Sequence, residues 1–428
     1  MLQQVISNCR ICGNTDLVSL IDLGEMAFTG IFPREQNTVV PVGPLHLVKC
    51  RESGPEACGL VQLKHSFDPS KLYGANYGYR SGLNSSMIEH LSAKAVQIRN
   101  RIPLESGDIV LDVGSNDGTF LRAMSGPGLI LVGMDPSAAK FRAYYPPDVN
   151  LVCDFFSASR FRREYGARKA KVVTSIAMFY DLENPISFMQ DVSEVLADEG
   201  IWVFEQSYLP GMLEMTSYDT ICHEHLEYYA LSQIKYMADR VGLKLLDVEL
   251  NSINGGSFSV VAAKAASKYP PNTDRIQELL QNESRIGLGG SEIYDKFRER
   301  VLAHRETLMK FLRAMADSGQ KVFGYGASTK GNVLLQYCGI GVQDIPYIVE
   351  VNEDKFGSFT PGSRIPIISE AEGRSLKPDA LLVLPWHFRD QIVKKEDAYL
   401  REGGKLVFPL PTLAVLPFPA FAGTAAYA

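Results

Sequence analysis

The sequence predicts an α/β protein built on a doubly wound, mostly parallel sheet. A small cysteine-rich module precedes this sheet, and a second, smaller α/β domain follows it. Three observations predict this. Between about residue 107 and about residue 205, apolar β-branched runs (DIVLDVG at 108–114, LILVGMD at 129–135, KVVTSIAM at 171–178, IWVFEQS at 201–207) alternate with helical patterns such as SFMQDVSEVLAD. Near-continuous apolar strands separated by helices mark a parallel sheet covered on both faces. Four of the seven cysteines, Cys9, Cys12, Cys50 and Cys58, fall in the first 58 residues. Alternation then resumes over about 320–411 with KVFGYGAS, IPYIVEVN, DALLVLPWH and KLVFPLP.

A chain of 428 residues exceeds what one core usually serves, so several domains are expected: 1–70, 71–285 and 286–428. Hydrophobic residues at 46% and charged residues at 21% are ordinary for a globular protein. A net charge of −6 lacks the basic footprint of a nucleic-acid binder. No apolar run reaches the roughly 20 residues that span a bilayer. The opening MLQQVISNCRICG has neither the basic nor the apolar region of a signal peptide. The expectation is a cytoplasmic monomer with no membrane or nucleic-acid partner.

Residues 1–70 are rich in turn formers and bury little core, so a metal would help to hold them. In a reducing compartment, clustered cysteines read as metal ligands before disulfides. Cys9-x2-Cys12-Gly13 forms one half of a zinc knuckle and Cys50 with Cys58-Gly59 the other, the polar RESGPEA looping out between them. Four thiolates close a tetrahedral site, which makes the zinc structural. His46 and His65 are the competing ligands. A glycine- and tyrosine-rich loop, YGANYGYRSGLN, then leads into a helix capped by Asn84 or Ser85. The stretch 231–318 reads as helix-rich and ends in a long charged helix at Gly319.

Asp112-Val113-Gly114-Ser115-Asn116-Asp117-Gly118 follows a buried strand and opens a helix, where glycines let a ligand approach the backbone. A dinucleotide turn would carry Gly-x-Gly-x-x-Gly, but Asn116 and Thr119 occupy the second and third glycine positions. Asp112 would repel a pyrophosphate and attract a sulfonium with an amino-acid tail. Asp135, at the next strand end, suits the hydroxyls of a ribose. Asp154 and Phe155, after the third strand, suit adenine. Three acids at consecutive strand ends point to S-adenosylmethionine rather than to a plain tight turn with capped helices.

The ordered set Cys-x2-Cys, NYGYRSGLN, DVGSNDG, SIAMFYDLENP, ICHEHLEYY and GYGASTKGN closely resembles the sugar C-methyltransferase family of the tetronitrose type, over about residues 5–411. The resemblance implies a zinc-binding N-terminal domain, a Rossmann-like class I methyltransferase domain and a C-terminal α/β domain. It implies nucleoside-diphosphate 4-keto-6-deoxy sugars as substrates, methylated at C-3. It also implies active-site roles for Glu224 and His225, with His225 as the base. Two positions depart from the family pattern: Cys222 replaces a tyrosine, and Asp181 stands near an expected histidine.

The residues support that chemistry in their own right. Methylation at carbon needs a carbanion equivalent, which a ketone provides by losing a neighbouring proton. His223-Glu224-His225 offers two imidazoles and a carboxylate, and a histidine titrates in the right range for a base. If the backbone there is extended, His223 and His225 share a face and Glu224 takes the other. Buried hydrogen-bonded histidines, or a two-histidine metal site, are the other readings of this triplet. Tyr77 and Tyr79 are candidates to donate to the keto oxygen or orient the sugar. In the last domain, small residues at Gly326 and Ser328 would present backbone N–H groups to a diphosphate beside Lys330, with Glu350 and Asn352 at the next strand end. An O- or N-methyltransferase, which needs no enolate-forming base, and a non-catalytic cofactor-binding scaffold remain the rival readings.

Overall fold

The computed structural model describes residues 3–51, 54, 56–73 and 79–417. They form two compact units that do not follow the three consecutive segments expected from sequence. The first comprises 1–22, 46–211 and 223–293, so the cysteine-rich segment shares a unit with the large sheet. The second comprises 23–45, 212–222 and 294–428.

The first unit is organised by a seven-stranded sheet. Its strands are β1 (Ile109–Val113), β2 (Ile130–Met134), β3 (Val149–Val152), β4 (Ala170–Ile176), β5 (Leu196–Ser207), β6 (Leu243–Asn251) and β7 (Ser257–Lys264), in the order β3-β2-β1-β4-β5-β7-β6. β3 through β5 are parallel, as the buried apolar runs predict. β1 lies between β2 and β4, so the chain order reverses there; this is the crevice at which doubly wound sheets bind ligands.

β6 and β7 are antiparallel, and they correct the helix-rich reading of 231–318. The sequence carries the signal: SFSVVAAK is β-branched and apolar, and it follows a turn in which Asn254 (φ 54°) and Gly256 (φ 118°) adopt the left-handed region. Helices do flank the hairpin, at Leu231–Arg240, Thr273–Arg285 and Glu292–Asp317. The helix Ser85–Arg101 begins where Asn84 accepts from the Ser86 N–H. Its Met87, Leu91, Ala95 and Ile98, at helical spacing, pack with Val110, Leu121 and Val203 over the sheet.

The cysteine-rich segment is largely β. Leu17–Ala27, Val42–Cys50, Val61–Leu63 and Glu227–Tyr228 make a four-stranded sheet, with Glu227–Tyr228 antiparallel to Val61–Gln62. Arg10, inside the Cys-x2-Cys turn, donates to the carbonyls of Leu63 (2.6 Å) and His65 (3.2 Å) and to the Ser66 hydroxyl (2.8 Å).

The second unit holds a six-stranded sheet in the order Ile367–Ser369, Ile348–Glu350, Val322–Tyr325, Ala380–Val383, Lys405–Phe408, Ala414–Leu416. The four central strands match the sequence expectation. The last strand is antiparallel and closes one edge.

Arg10→Met leaves those acceptors unpaired in a buried setting. Each such loss costs about 1–3 kcal/mol, so we expect destabilisation by about 3 kcal/mol or more. Urea unfolding of the full chain measures it, and an unchanged midpoint and slope would show that Arg10 holds nothing together.

Candidate functional site

The turn after β1 is built for close approach. Gly114 (φ 74°), Asn116 (φ 50°) and Gly118 (φ 73°) are left-handed, and a Cβ at Gly114 would sit 3.0 Å from the Met178 side chain. Gly118 caps the following helix and packs against Tyr145. Asp135 fastens the turn: its Oδ2 accepts from the Asn116 N–H at 2.8 Å and its Oδ1 from the Ser137 N–H at 2.6 Å. The Asn116 side chain in turn bonds the Ser81 N–H (2.9 Å) and the Tyr79 carbonyl (3.1 Å).

These groups wall a cavity entirely within the first unit, lined by Asp112, Gly114, Asn116, Asp135, Phe155 and Tyr79 among others. Asp112 is 4% exposed, and burial pushes its carboxyl up to about 7. The Thr174 hydroxyl, donating at 2.6 Å, opposes that shift, and Asp135 adds to it. Asp154 is a correction. β3 ends two residues earlier, and Asp154 pairs at the surface with Arg160 (3.3 Å) instead of lining the cavity. Phe155, half-exposed, does line it.

Sequence reasoning missed the end of β5. Glu205, buried and bonded to His90 and Lys94, lines the cavity, as does Gln206, whose carboxamide atoms have no hydrogen-bond partner among the described residues. Polar Glu-Gln at the end of an otherwise apolar strand was the available signal.

His223 and Glu224 lie in a turn, not in extended backbone, so the expectation of alternating faces fails. His223 is fully buried in the core with its ring 4.9 Å from Phe67, and none of His223, Glu224 and His225 is among the residues that line the cavity. His225 is half-buried, its ring 4.2 Å from that of Tyr180, and the Leu226 N–H donates to the Tyr180 carbonyl at 2.8 Å. The Tyr73 hydroxyl donates to the Glu224 carbonyl at 3.3 Å. The turn at 223–225 is thereby tied to the segment that ends in Asp181, which lines the cavity. Tyr77 lies outside the described residues.

Cys9, Cys12, Cys50 and Cys58 converge, with their sulfurs all within 4.8 Å of one another and no disulfide among them. Without a metal the hydrogen bonds within the cluster lower the Cys50 thiol and raise those of Cys9 and Cys58, so a bound cation is what would let all four act as thiolates. The donor set fits zinc. His46 is bonded to Ser19 (2.8 Å), and neither it nor His65 belongs to the cluster.

In the second unit the turn after Val322–Tyr325 has Gly326 at φ 82°, and a Cβ there would meet Pro385 at 2.8 Å. Its N–H groups are already used, which corrects the expectation of an open phosphate cradle. Ala327 donates to Glu350 (2.7 Å), Gly326 to Val349, Ser328 to Gly326, and Gly331 to the Ser328 hydroxyl that caps the next helix. The Asn352 side chain caps a turn through the Asp354 N–H (3.1 Å), and its own N–H donates to Glu350 (2.9 Å). Burial lowers the Lys330 ammonium, which the nearby Asp219 partly offsets.

Comparison with known proteins gives these parts a lineage. Family profiles match a zinc binding domain at 9–73, a methyltransferase domain at 87–248 and a C-methyltransferase C-terminal domain at 252–411. The chain is 30% identical to the C-methyltransferase NovU of Streptomyces niveus over 415 residues, covering 96% of this chain and 97% of that one. The chain belongs to the C-methyltransferase family. Among solved structures, the plantazolicin methyltransferase BpumL with SAH is 15% identical, with a TM-score of 0.34, over 43% of this chain and 87% of that one. Coclaurine N-methyltransferase, also with SAH, is 12% identical, with a TM-score of 0.33, over 42% and 73%.

This C-methyltransferase depends on S-adenosylmethionine, and its cavity fits that cofactor: a buried acid at a glycine turn complements a cation, and the orphaned Gln206 amide awaits a polar partner. Bound there, S-adenosylmethionine supplies an electrophilic methyl group. Asp112, Gly114, Asn116 and Asp135 line that cavity and would hold it. No helix among the described residues is long and apolar enough to cross a membrane.

Two outcomes are expected. A cation facing Asp112 favours its ionised form, so binding displaces a proton when the free site is protonated. Cofactor affinity should therefore rise roughly fivefold from about pH 6 to about pH 7, and Asp112→Asn should bind more weakly and without that slope. Calorimetry giving a flat wild-type profile would remove Asp112 from cation recognition. For the metal, elemental analysis should find one zinc per chain and none in Cys58→Ser. That variant should lose much of the order of 10 kcal/mol that structural zinc contributes to small domains. Full stability without zinc would dismiss the site.

Proposed function

We propose that the enzyme methylates C-3 of a nucleotide-linked 4-keto-6-deoxy sugar, with Glu224 and His225 providing the base. The observation that carries this reading is the attachment of the His225 turn, through Tyr180, to the segment whose Asp181 lines the cavity: a 2.8 Å backbone hydrogen bond and a 4.2 Å ring contact. An acceptor carbon has no lone pair, so it must first lose a proton; an O- or N-acceptor asks for no such turn. The ketone lowers the cost of that loss by taking the charge onto oxygen. His225 is half-buried against an aromatic ring, and an imidazole is a residue type suited to proton abstraction from carbon. Glu224 orients the imidazole or meets the sugar, and Tyr79 in the cavity wall orients it further. The relative named a C-methyltransferase is consistent with a carbon acceptor.

The test is incubation with a panel of nucleotide 4-keto sugars in heavy water. Wild type should exchange the proton beside the ketone even with S-adenosylhomocysteine in place of the methyl donor. His225→Asn should lose exchange and methylation alike by about 10² to 10⁴, with cofactor binding retained. Exchange at the wild-type rate in that variant would take the base role away from His225.

A further inference from the structure

Asp181 ends the short turn Phe179–Asp181 and lines the same cavity as Asp112 and Met178. Its surroundings are unusual for a carboxylate. Tyr73 hydrogen-bonds the group, yet Oδ1 is buried with no hydrogen-bond partner among the described residues. An ionised oxygen left that way is strongly disfavoured, and a second carboxylate nearby, Glu224, disfavours it further. Burial pushes the Asp181 carboxyl well above its ordinary range; the Tyr73 hydrogen bond opposes this and Glu224 adds to it. A carboxylic acid kept neutral in this manner becomes a hydrogen-bond donor, which an ionised aspartate never is.

We propose that Asp181 is a catalytic residue that donates to the substrate's ketone oxygen through Oδ1, the atom without a hydrogen-bond partner among the described residues. This rests on the ketone substrate proposed above. The base on the Glu224–His225 turn takes the proton from the carbon beside the ketone. The C–H electron pair becomes the enolate C=C bond, the carbonyl π pair moves to oxygen, and the Asp181 O–H meets that oxygen as its charge grows. When the carbon takes the methyl group, the carbonyl re-forms, the S–C electron pair stays with sulfur and Asp181 keeps its proton. Nothing is oxidised or reduced. A donor aimed where charge develops is among the larger contributions to such reactions. Two neighbours fix the geometry: Tyr73 joins Asp181 to the Glu224 backbone, and Tyr180 joins the same segment to His225. Donor and base are therefore carried on two segments fastened to each other through Tyr73 and Tyr180.

The experiment compares wild type with Asp181→Asn, both as full chains saturated with S-adenosylhomocysteine, by two independent readouts. Infrared difference spectroscopy near neutral pH should show a protonated-carboxyl C=O band that shifts in heavy water and is missing from the variant. The variant should bind S-adenosylhomocysteine as wild type does. With nucleotide 4-keto sugars it should exchange the proton and methylate about 10² to 10³ times more slowly, the range seen when one oxyanion donor is removed. Identical bands in the two proteins, or exchange by the variant at the wild-type rate, overturns the proposal. If wild type neither exchanges nor methylates any ketone of the panel, the sugar reading falls, and Asp181's role as donor to a ketone falls with it. A carboxyl band lost in Asp181→Asn would then still identify Asp181 as a neutral donor facing a different substrate, so the two failures are told apart.

Discussion

A single buried cation holds the first unit in working order. Arg10 stands between the zinc ligands Cys9 and Cys12, with only 3% of its side chain exposed. Its guanidinium spends its donors on Leu63, His65 and Ser66 and lies 3.6 Å from Glu183 and 3.7 Å from Glu227. Glu183 follows Asp181 by two residues, and Glu227 follows His225 by two. A buried charge is tolerated only when paired and hydrogen-bonded, so the geometry around Arg10 is not free to drift. The metal module is thereby joined to the segment whose Asp181 lines the cavity and to the segment that carries His225. Glu227 shows how far the surroundings are desolvated: burial pushes its carboxyl well above the ordinary range, even with Arg10 pulling the other way. A zinc site that looks remote from the chemistry in sequence is, through this residue, the anchor of the groups proposed to perform it.

The cavity itself is governed by carboxyl groups placed in a dry wall. Asp112, Asp135 and Asp181 all line it, and burial raises the first and the last. Such a wall is hostile to phosphate and receptive to a cation, and this polarity separates the turn from a dinucleotide site more firmly than the glycine spacing does. Asp135 differs from its neighbours because its oxygens are already engaged by the Asn116 and Ser137 N–H groups. It shapes the turn first, and any hydroxyl it accepts is an additional bond on a carboxylate with lone pairs to spare.

Much of this was legible in the sequence, for identifiable reasons. Parallel strands buried on both faces announce themselves as apolar runs, so β1, β2, β4 and β5 could be read directly. The four cysteines could be paired into a cluster because thiolate ligation leaves a spacing. The resemblance carried by HEH and GYGASTKGN supplied the chemistry that composition alone never would. What escaped was the destination of particular hydrogen bonds. Nothing local told that His223 would turn into the core against Phe67 while His225 stayed half-exposed. Nor could it show that Asp154 would face Arg160 rather than the cavity. The β6–β7 hairpin was missed for a different cause: its turn chemistry was present, but neighbouring helical periodicity dominated a window of that length.

The two units repeat one device, and the repetition says what the second turn can bind. In the first, Asp135 at a strand end takes the N–H of Asn116 in the neighbouring glycine turn and the N–H two residues ahead, on Ser137. In the second, Glu350 at a strand end takes the N–H of Ala327 in the neighbouring glycine turn and the N–H two residues ahead, on Asn352. Such a carboxylate neutralises the donors that a diphosphate would otherwise use and adds a negative charge beside them. Its natural guests are hydroxyls, as with the acids that grip ribose in dinucleotide-binding sheets. A nucleotide sugar meeting this turn would therefore present ribose or hexose hydroxyls to Glu350.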